Sequence, residues 1–178
     1  MSQSLANAFE FCPRCGTAVA EVGSNPLSCR QPDCRFTYFF SPITAVAAIV
    51  QDEAGRVLFL RRGKDPGKGK LGLPGGFVDA GESLEDALVR EILEETQLAA
   101  RVDKYITSRP NIYSFQGVDL AVTDMFFHCT VASFEGLTAQ AGEVSEFHLA
   151  IPSETKLAEM AFDSNRQALE FFLQHQGN

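Results

Sequence analysis

Two groups of side chains in this sequence are spaced for chemistry. The first is "REILEET", residues 90–96, where Glu91, Glu94 and Glu95 crowd the last turns of a helical pattern. A helix C-terminus carries partial negative charge and disfavours acids. Glu91 and Glu95 also sit four apart, where like charges repel. At about 100° per residue, Leu84, Leu88 and Ile92 form an apolar stripe, and Glu91 and Glu95 fall on or beside it. A solvated acidic face is the plain alternative, but angular position, dipole and spacing all oppose it. A bound divalent cation removes the three objections together. Clustered carboxylates with no His or Cys nearby suit a hard ion, Mg2+ or Mn2+.

The second group is Cys12 and Cys15 in "FCPRCG" with Cys29 and Cys34 in "SCRQPDC". Two close thiol pairs match a tetrahedral structural zinc site. Disulfides or unpaired thiols are the alternatives. The N-terminus "MSQSLANAFEF" has no basic or apolar leader segment. A cytoplasmic, reducing setting is therefore expected, and disulfides are rare there. Cys129, inside the apolar run "MFFHCTV", reads as a buried core thiol.

The elements around these groups follow from pattern. "SPIT" marks a boundary between a small zinc ribbon, residues 1–40, and a second domain, residues 41–178. The ribbon sets Glu10, Glu21 and Asp33 against Arg14, Arg30 and Arg35, so it lacks a basic footprint and points to structural support over nucleic-acid binding. "ITAVAAIV" (43–50) and "VLFLRR" (57–62) read as two strands joined in a hairpin through Gly55. "GKDPGKGKLGLPGG" reads as a loop. A helix is expected over 83–96, with Ser83 as N-cap and Asp86 completing a capping-box variant. Strands are expected near 101–107, 118–134 and 144–150, followed by two helical pieces. Mixed strands with few helices give an α/β or α+β sandwich. A chain of 178 residues with a net charge of -8 has no general attraction for nucleic acid or anionic membranes. No apolar run reaches the length of a membrane span.

The loop before the helix completes a longer pattern. Gly75, Gly76 and Gly81 permit close backbone approach, and an ion pair of Glu82 with Arg90 would pin loop to helix. Gly76, Glu82, Arg90, Glu91, Ile92, Glu94 and Glu95 satisfy G-x5-E-x7-R-E-U-x-E-E, with U apolar. This resembles the Nudix box of the Nudix hydrolases. The box continues x-G-U, and here Gln97 replaces its final glycine. Altered cap geometry is the expected consequence, with catalysis retained. With the ribbon, the chain looks like the zinc-ribbon Nudix proteins, which include NADH pyrophosphatases and relatives acting on ADP-ribose or FAD.

The resemblance implies an α/β/α sandwich with a mixed sheet behind a zinc ribbon. It implies metal-dependent hydrolysis of the pyrophosphate in a nucleoside diphosphate-linked substrate, releasing a nucleoside monophosphate. Glu91, Glu94, Glu95 and the Gly75 carbonyl would hold Mg2+ or Mn2+, with Glu82 orienting Arg90. For the base, a box glutamate or an acid on a late loop is implied. "AGEVSE" offers Glu143 and Glu146, of which Glu143 is favoured as base or added ligand; an ordinary loop carboxylate is the alternative. "RRGKDPGKGK" supplies Arg61, Arg62, Lys64, Lys68 and Lys70, with Arg62 and Lys70 as phosphate contacts or as parts of a solubilising loop. "SRPNIYSF" adds Arg109 for phosphate and Tyr113 for stacking, although core packing also explains the aromatics. NADH pyrophosphatases carry an S-Q-P-W-P-F-P-type motif, and this chain has no tryptophan. ADP-ribose and FAD therefore rank above NADH. The oligomeric state is not readable from the residues, although related enzymes are commonly dimers, so the resemblance allows a homodimer. The alternative function is an interaction or regulatory module on the same scaffold with little hydrolysis.

Overall fold

The computed structural model describes residues 2–175. The chain divides into two compact units. The first gathers residues 1–43 with 112–122, and the second gathers 44–111 with 123–178.

In the first unit, β1 (Gln3–Ser4) precedes a single 3-10 turn. A short antiparallel pair follows, β2 (Leu27–Ser28) with β3 (Thr37–Tyr38). The apolar interior is small. Aromatic contacts supplement it, with Phe9 against Tyr38 and Phe40, and Phe36 stacked on Tyr38.

The second unit is built on β4 (Ile43–Val50), β5 (Val57–Arg62), β6 (Leu71–Gly72), β7 (Gly75–Phe77) and the helix α1 (Leu84–Thr96). The long strands β8 (Ala100–Phe115) and β9 (Val118–Val131) come next, then β10 (Val144–Ala150) and the helices α2 (Glu154–Ala158) and α3 (Asp163–Gln174). One sheet contains β9, β4 and β7 in that order, with β8 on β9 and β1 on the first residues of β9. A second sheet runs β10–β5–β6, both pairings antiparallel. Gln116 and Gly117 join β8 to β9, both with positive φ, as a two-residue hairpin turn requires.

Alternation along the strands separates two cores. Val46, Ala48, Val50, Leu58 and Phe127 pack with Ala87, Leu88 and Ile92 of α1. Ala47, Ile49, Val57, Phe59 and Phe126 pack with Ala168, Leu169 and Phe172 of α3. Successive strand residues face opposite sides, so α1 covers one face and α3 the other. This is an α/β/α sandwich, as expected. Cys129 is fully buried in the α1 core, and burial pushes its thiol up to about 12.

The expected hairpin of β4 with β5 is corrected. The two strands lie in different sheets, β4 between β7 and β9, and β5 between β10 and β6. The bridge Gln51↔Val57 and the turn bond from Asp52 N–H to Arg56 O join their ends, with the Asp52 carboxylate accepting from Arg56. Both strands are apolar on both faces, so each needs partners along two edges. The glycine-rich stretch also contains strand, because β6 and β7 are paired by β5 and β4. "SRPNIYSF" is the continuation of β8.

Candidate active site

α1 begins at the expected cap. The Ser83 hydroxyl accepts the Asp86 N–H at 3.1 Å and donates to the Asp86 carboxylate at 2.7 Å. Leu88 and Ile92 are fully buried, each contributing roughly 1.5–3 kcal/mol of hydrophobic stabilisation. The helix is thus held from its apolar stripe, and the acids that continue the stripe are carried inward. At its end Gln97 adopts the left-handed conformation, φ 61°, and its backbone N–H and side-chain Nε2 both donate to Leu93 O. The expectation of altered cap geometry is corrected: glutamine takes the conformation glycine would take. Its strain of about 1 kcal/mol is offset by the second hydrogen bond.

β7 lies antiparallel to β4, pairing Ala47 with Gly75 and Val46 with Gly76. This register presses the two glycines against the helix acids. A Cβ on Gly75, at φ 145°, would sit 2.1 Å from Val46 O. A Cβ on Gly76 would sit 2.5 Å from the Glu91 carboxylate. Side chains are excluded there by contact.

Arg90 is the hub of the acids. Nε donates to Glu82 Oε1 at 2.8 Å and Nη2 to Glu82 Oε2 at 2.8 Å. Nη1 reaches Glu91 at 2.8 Å and Glu94 at 3.6 Å, and Nη2 also donates to Phe77 O at 3.1 Å. Hydrogen bonds from Arg90, then from the Asp79 N–H, hold the Glu82 carboxyl down at about 2. The carboxylates in turn raise Arg90 above its ordinary value. Burial raises Glu91, against the pull of Arg90.

Glu95 lies apart from this pairing. It is 9% exposed, and the Gly75 N–H donates to its Oε2 at 2.9 Å. Burial pushes it up to about 8, opposed by that hydrogen bond; Glu91 and Glu143 add like charge, and Arg62 counters them. A carboxyl pressed this far toward its neutral form is one whose charge calls for a cation. The local donors are hard oxygens, so Glu91, Glu94 and Glu95 fit Mg2+ or Mn2+ in kind. They do not yet converge. Among the described residues, the cysteines form the one group of three or more candidate ligands drawn within 4.8 Å of one another.

Glu143 follows the loop that enters β10, where the β5 pairing carries an irregularity between Val144 and Glu146. Its carbonyl accepts the Gly63 N–H at 2.7 Å, and its carboxylate is ion-paired with Lys64. Its negative charge bears on both Glu91 and Glu95, raising each. Glu146 is spent on Arg61 and His148.

The cations divide. Arg62 donates Nε to Pro66 O at 2.8 Å and lies over the Phe162 ring, its guanidinium carbon 4.9 Å from the centroid. Lys70 is exposed, and its carbonyl accepts the Arg62 N–H. Arg61 is engaged by Glu146 and by Gly69 O. Arg109 is tied to the Thr107 hydroxyl, to Ser108 O and over the Phe171 ring, with no contact described to the acids. Tyr113 belongs to the first unit, whereas the acids belong to the second. The roles of Phe77 O, Lys64 and Phe162 have no signal in the local sequence, since their partners lie far along the chain.

In the first unit, Cys12 Sγ is 3.9 Å from Cys34 Sγ and Cys15 Sγ is 3.6 Å from Cys29 Sγ. A tetrahedral ion with bonds of about 2.3 Å separates its sulfurs by roughly 3.8 Å, and the observed pairs bracket that value. A disulfide needs about 2.05 Å. The four thiols therefore fit zinc. Hydrogen bonds from the Thr17 hydroxyl and its backbone lower Cys15 to about 6, whereas burial and the neighbouring thiols raise Cys29 to about 12 and Cys34 as well, so one sulfur of the four ionises ahead of those two.

The NUDIX domain family model matches residues 41–172. The ADP-ribose pyrophosphatase of Methanocaldococcus jannaschii is 41% identical over 68 residues, covering 38% of this chain and 40% of that protein. The NAD-capped RNA hydrolase NudC of Pectobacterium atrosepticum is 30% identical over 100 residues, covering 56% of this chain and 37% of that protein. The chain thus spans about two fifths of the length of these curated relatives. The crystal structure of a NUDIX hydrolase from Nitrosomonas europaea superposes with a TM-score of 0.71 at 23% identity, covering 96% of this chain and 94% of that one. At that identity the likeness is one of fold. A family match across most of the sequence, laid over the glycine loop, the Arg90 hub and the acid helix, places this chain in the NUDIX domain family.

Proposed function

We propose that the protein hydrolyses the phosphoanhydride bond of a nucleoside diphosphate-linked substrate. The observation that carries this is Arg90 fixing Glu82, Glu91 and Glu94 beside a buried Glu95 held by the Gly75 N–H. Glu91, Glu94, Glu95 and the Gly75 carbonyl would hold Mg2+ or Mn2+. When bound, such a cation neutralises pyrophosphate oxygens and acidifies water. The chain's own residues do the rest. Arg90 and Glu82 fix the loop to the helix, so the acids keep their place. Arg62 and Lys70 hold phosphate oxygens. Glu143 takes the proton of the attacking water as its oxygen bonds to phosphorus. The anhydride P–O bond breaks, and a nucleoside monophosphate leaves.

ADP-ribose is the first choice of substrate, supported by the relative of that specificity. NAD-linked compounds follow from the relatives named for NAD-capped RNA, and FAD remains from the sequence pattern. The Cys12, Cys15, Cys29 and Cys34 cluster would hold structural zinc in a ribbon over residues 1–40, with the hydrolase domain over 41–178. Among the described residues no helix is long and apolar enough to cross a membrane. Assembly as a homodimer is part of the same proposal.

One panel tests the reading: ADP-ribose, FAD, NADH, a dinucleoside polyphosphate and a nucleoside triphosphate, each with Mg2+ or Mn2+. Hydrolysis of at least one diphosphate-linked compound is expected, with oxygen-18 from water entering a phosphate product. No turnover anywhere would overturn the proposal and favour a binding module.

A further inference from the structure

We infer that Phe162 is a positioning residue for the phosphate contact: its ring fixes the direction of the Arg62 guanidinium toward the substrate's diphosphate. The inference rests on the reading of Arg62 as a phosphate ligand, given above.

The geometry around Arg62 is restrictive on every side. Its backbone N–H donates to Lys70 O at 2.9 Å, and its carbonyl accepts the Gly69 N–H at 2.8 Å. The side chain then runs past two glycines. A Cβ on Gly67 would lie 3.6 Å from Arg62 Cδ, and one on Gly72 would lie 3.8 Å from Arg62 Cγ. Pro66 O takes the Nε hydrogen at 2.8 Å. The Phe162 ring supports the guanidinium from a centroid 4.9 Å away, within cation–π range. An arginine has five N–H donors in a rigid fork. With Nε spent on Pro66 and one face on the ring, the two Nη groups remain as a pair for a bidentate anion. The register of β10 on β5 pairs Arg62 with Val144, the residue after Glu143, so the arginine lies beside the proposed base.

Phe162 is held as firmly as the group it supports. It occupies the N-cap position of α3. The helix behind it is anchored by Ala168, Leu169 and Phe172 in the core. The preceding Ala161 N–H donates to Leu71 O at 2.7 Å, and the Leu71 N–H donates to Glu159 O at 3.0 Å, which ties this segment to β6. Preorganising an arginine this way lowers the cost of fixing it when phosphate binds. Loss of the ring should therefore appear in binding more than in chemistry.

The test compares Phe162→Leu, Phe162→Tyr and Arg62→Ala with the unaltered protein. Steady-state kinetics would use ADP-ribose with Mg2+, and calorimetric titration would use ADP-ribose in EDTA. Phe162→Leu keeps an apolar side chain and removes the π face. It should raise KM and the dissociation constant by about 3- to 30-fold, with kcat within about twofold. Phe162→Tyr keeps the ring and should restore both. Arg62→Ala should weaken binding at least as much, and Phe162→Leu should add little in that background, since the two act as a unit. Where Phe162→Leu does not fold, Phe162→Met replaces it. A full effect of Phe162→Leu in the Arg62→Ala background would overturn the inference. So would normal binding by Phe162→Leu when Arg62→Ala is impaired. Normal binding by Arg62→Ala would instead remove the phosphate role of Arg62, and the inference with it.

Discussion

Replacing Glu95 by glutamine should stabilise the metal-free protein, and by an amount that grows with pH. The carboxyl is buried and pushed up to about 8 from an ordinary 4.5. Between those values the folded protein keeps a proton that the unfolded chain has released, so stability falls as pH rises through the window. Each pH unit costs about 1.4 kcal/mol. At pH 7 the penalty is therefore about 3 kcal/mol, and its ceiling above pH 8 is about 5 kcal/mol. Near pH 5 it shrinks to about 1 kcal/mol or less. Glutamine has no proton to lose, and its amide oxygen can still accept the Gly75 N–H. For a chain of this length, about 3 kcal/mol corresponds to roughly 6–12 °C in Tm. The assay is a set of thermal melts of both proteins in EDTA from pH 5 to pH 8.5. The difference should open with pH in favour of Glu95→Gln. Saturating Mg2+ should then raise the melt of the unaltered protein more, because the variant lacks one anionic ligand. A pH-independent difference, or a variant less stable in EDTA at pH 8, would refute the reasoning.

Other substitutions probe the remaining parts. Gly76→Ala drives a methyl into the Glu91 carboxylate, 2.5 Å away; turnover should fall about 10-fold or more, while a melt in EDTA shows the protein still folded. Arg90→Lys loses the fork that holds Glu82 and Glu91 together; a loss of about 10²-fold in kcat is expected, and near-normal rates would deny Arg90 its role as hub. Protein purified without added metal should contain about one zinc per chain by elemental analysis, and Cys12→Ser should contain almost none. Iodoacetamide under native conditions should leave Cys129 unmodified, as its burial and its value near 12 require; mass spectrometry of the peptides reads this directly.

What was legible in the sequence was local. The start of α1 was readable because Ser83, Asp86 and the stripe of Leu88 and Ile92 lie within three turns. The pairing of Glu82 with Arg90 was readable for the same reason, since loop and helix are adjacent in the chain. The cysteine cluster could be read from spacing alone. Strand partners were not local. β4 and β5 have the composition of a hairpin, but distant β7, β9 and β10 took their edges. β6 and β7 are two and three residues long and contain glycine, so only their partners reveal them. The strand expected near 101–107 runs on to Phe115 through Pro110, which is exposed, so its missing N–H leaves the strand intact. Within the site, the cations are told apart by distant partners. Arg61 and Lys64 are engaged by Glu146 and Glu143, and no local pattern distinguishes them from Arg62.

The assignment of residues 112–122 to the first unit bears on how such a chain is assembled and dismantled. Ser2 donates to Asp119 at 2.7 Å, the Gln3 N–H donates to Gly117 O at 3.0 Å, and β1 runs parallel to the first residues of β9. The first unit is therefore discontinuous: its fold draws on a hairpin tip encoded more than sixty positions after its own last cysteine. During synthesis from the N-terminus, β1 must wait for that tip before it can pair. A genetic transplant of residues 1–43 would carry the cysteines and leave β1 without its partner strand. The same excision would strip the hairpin tip and expose a new sheet edge, which is a template for aggregation. Residues 1–43 and the hairpin tip at 112–122 are one heritable piece split in two along the gene.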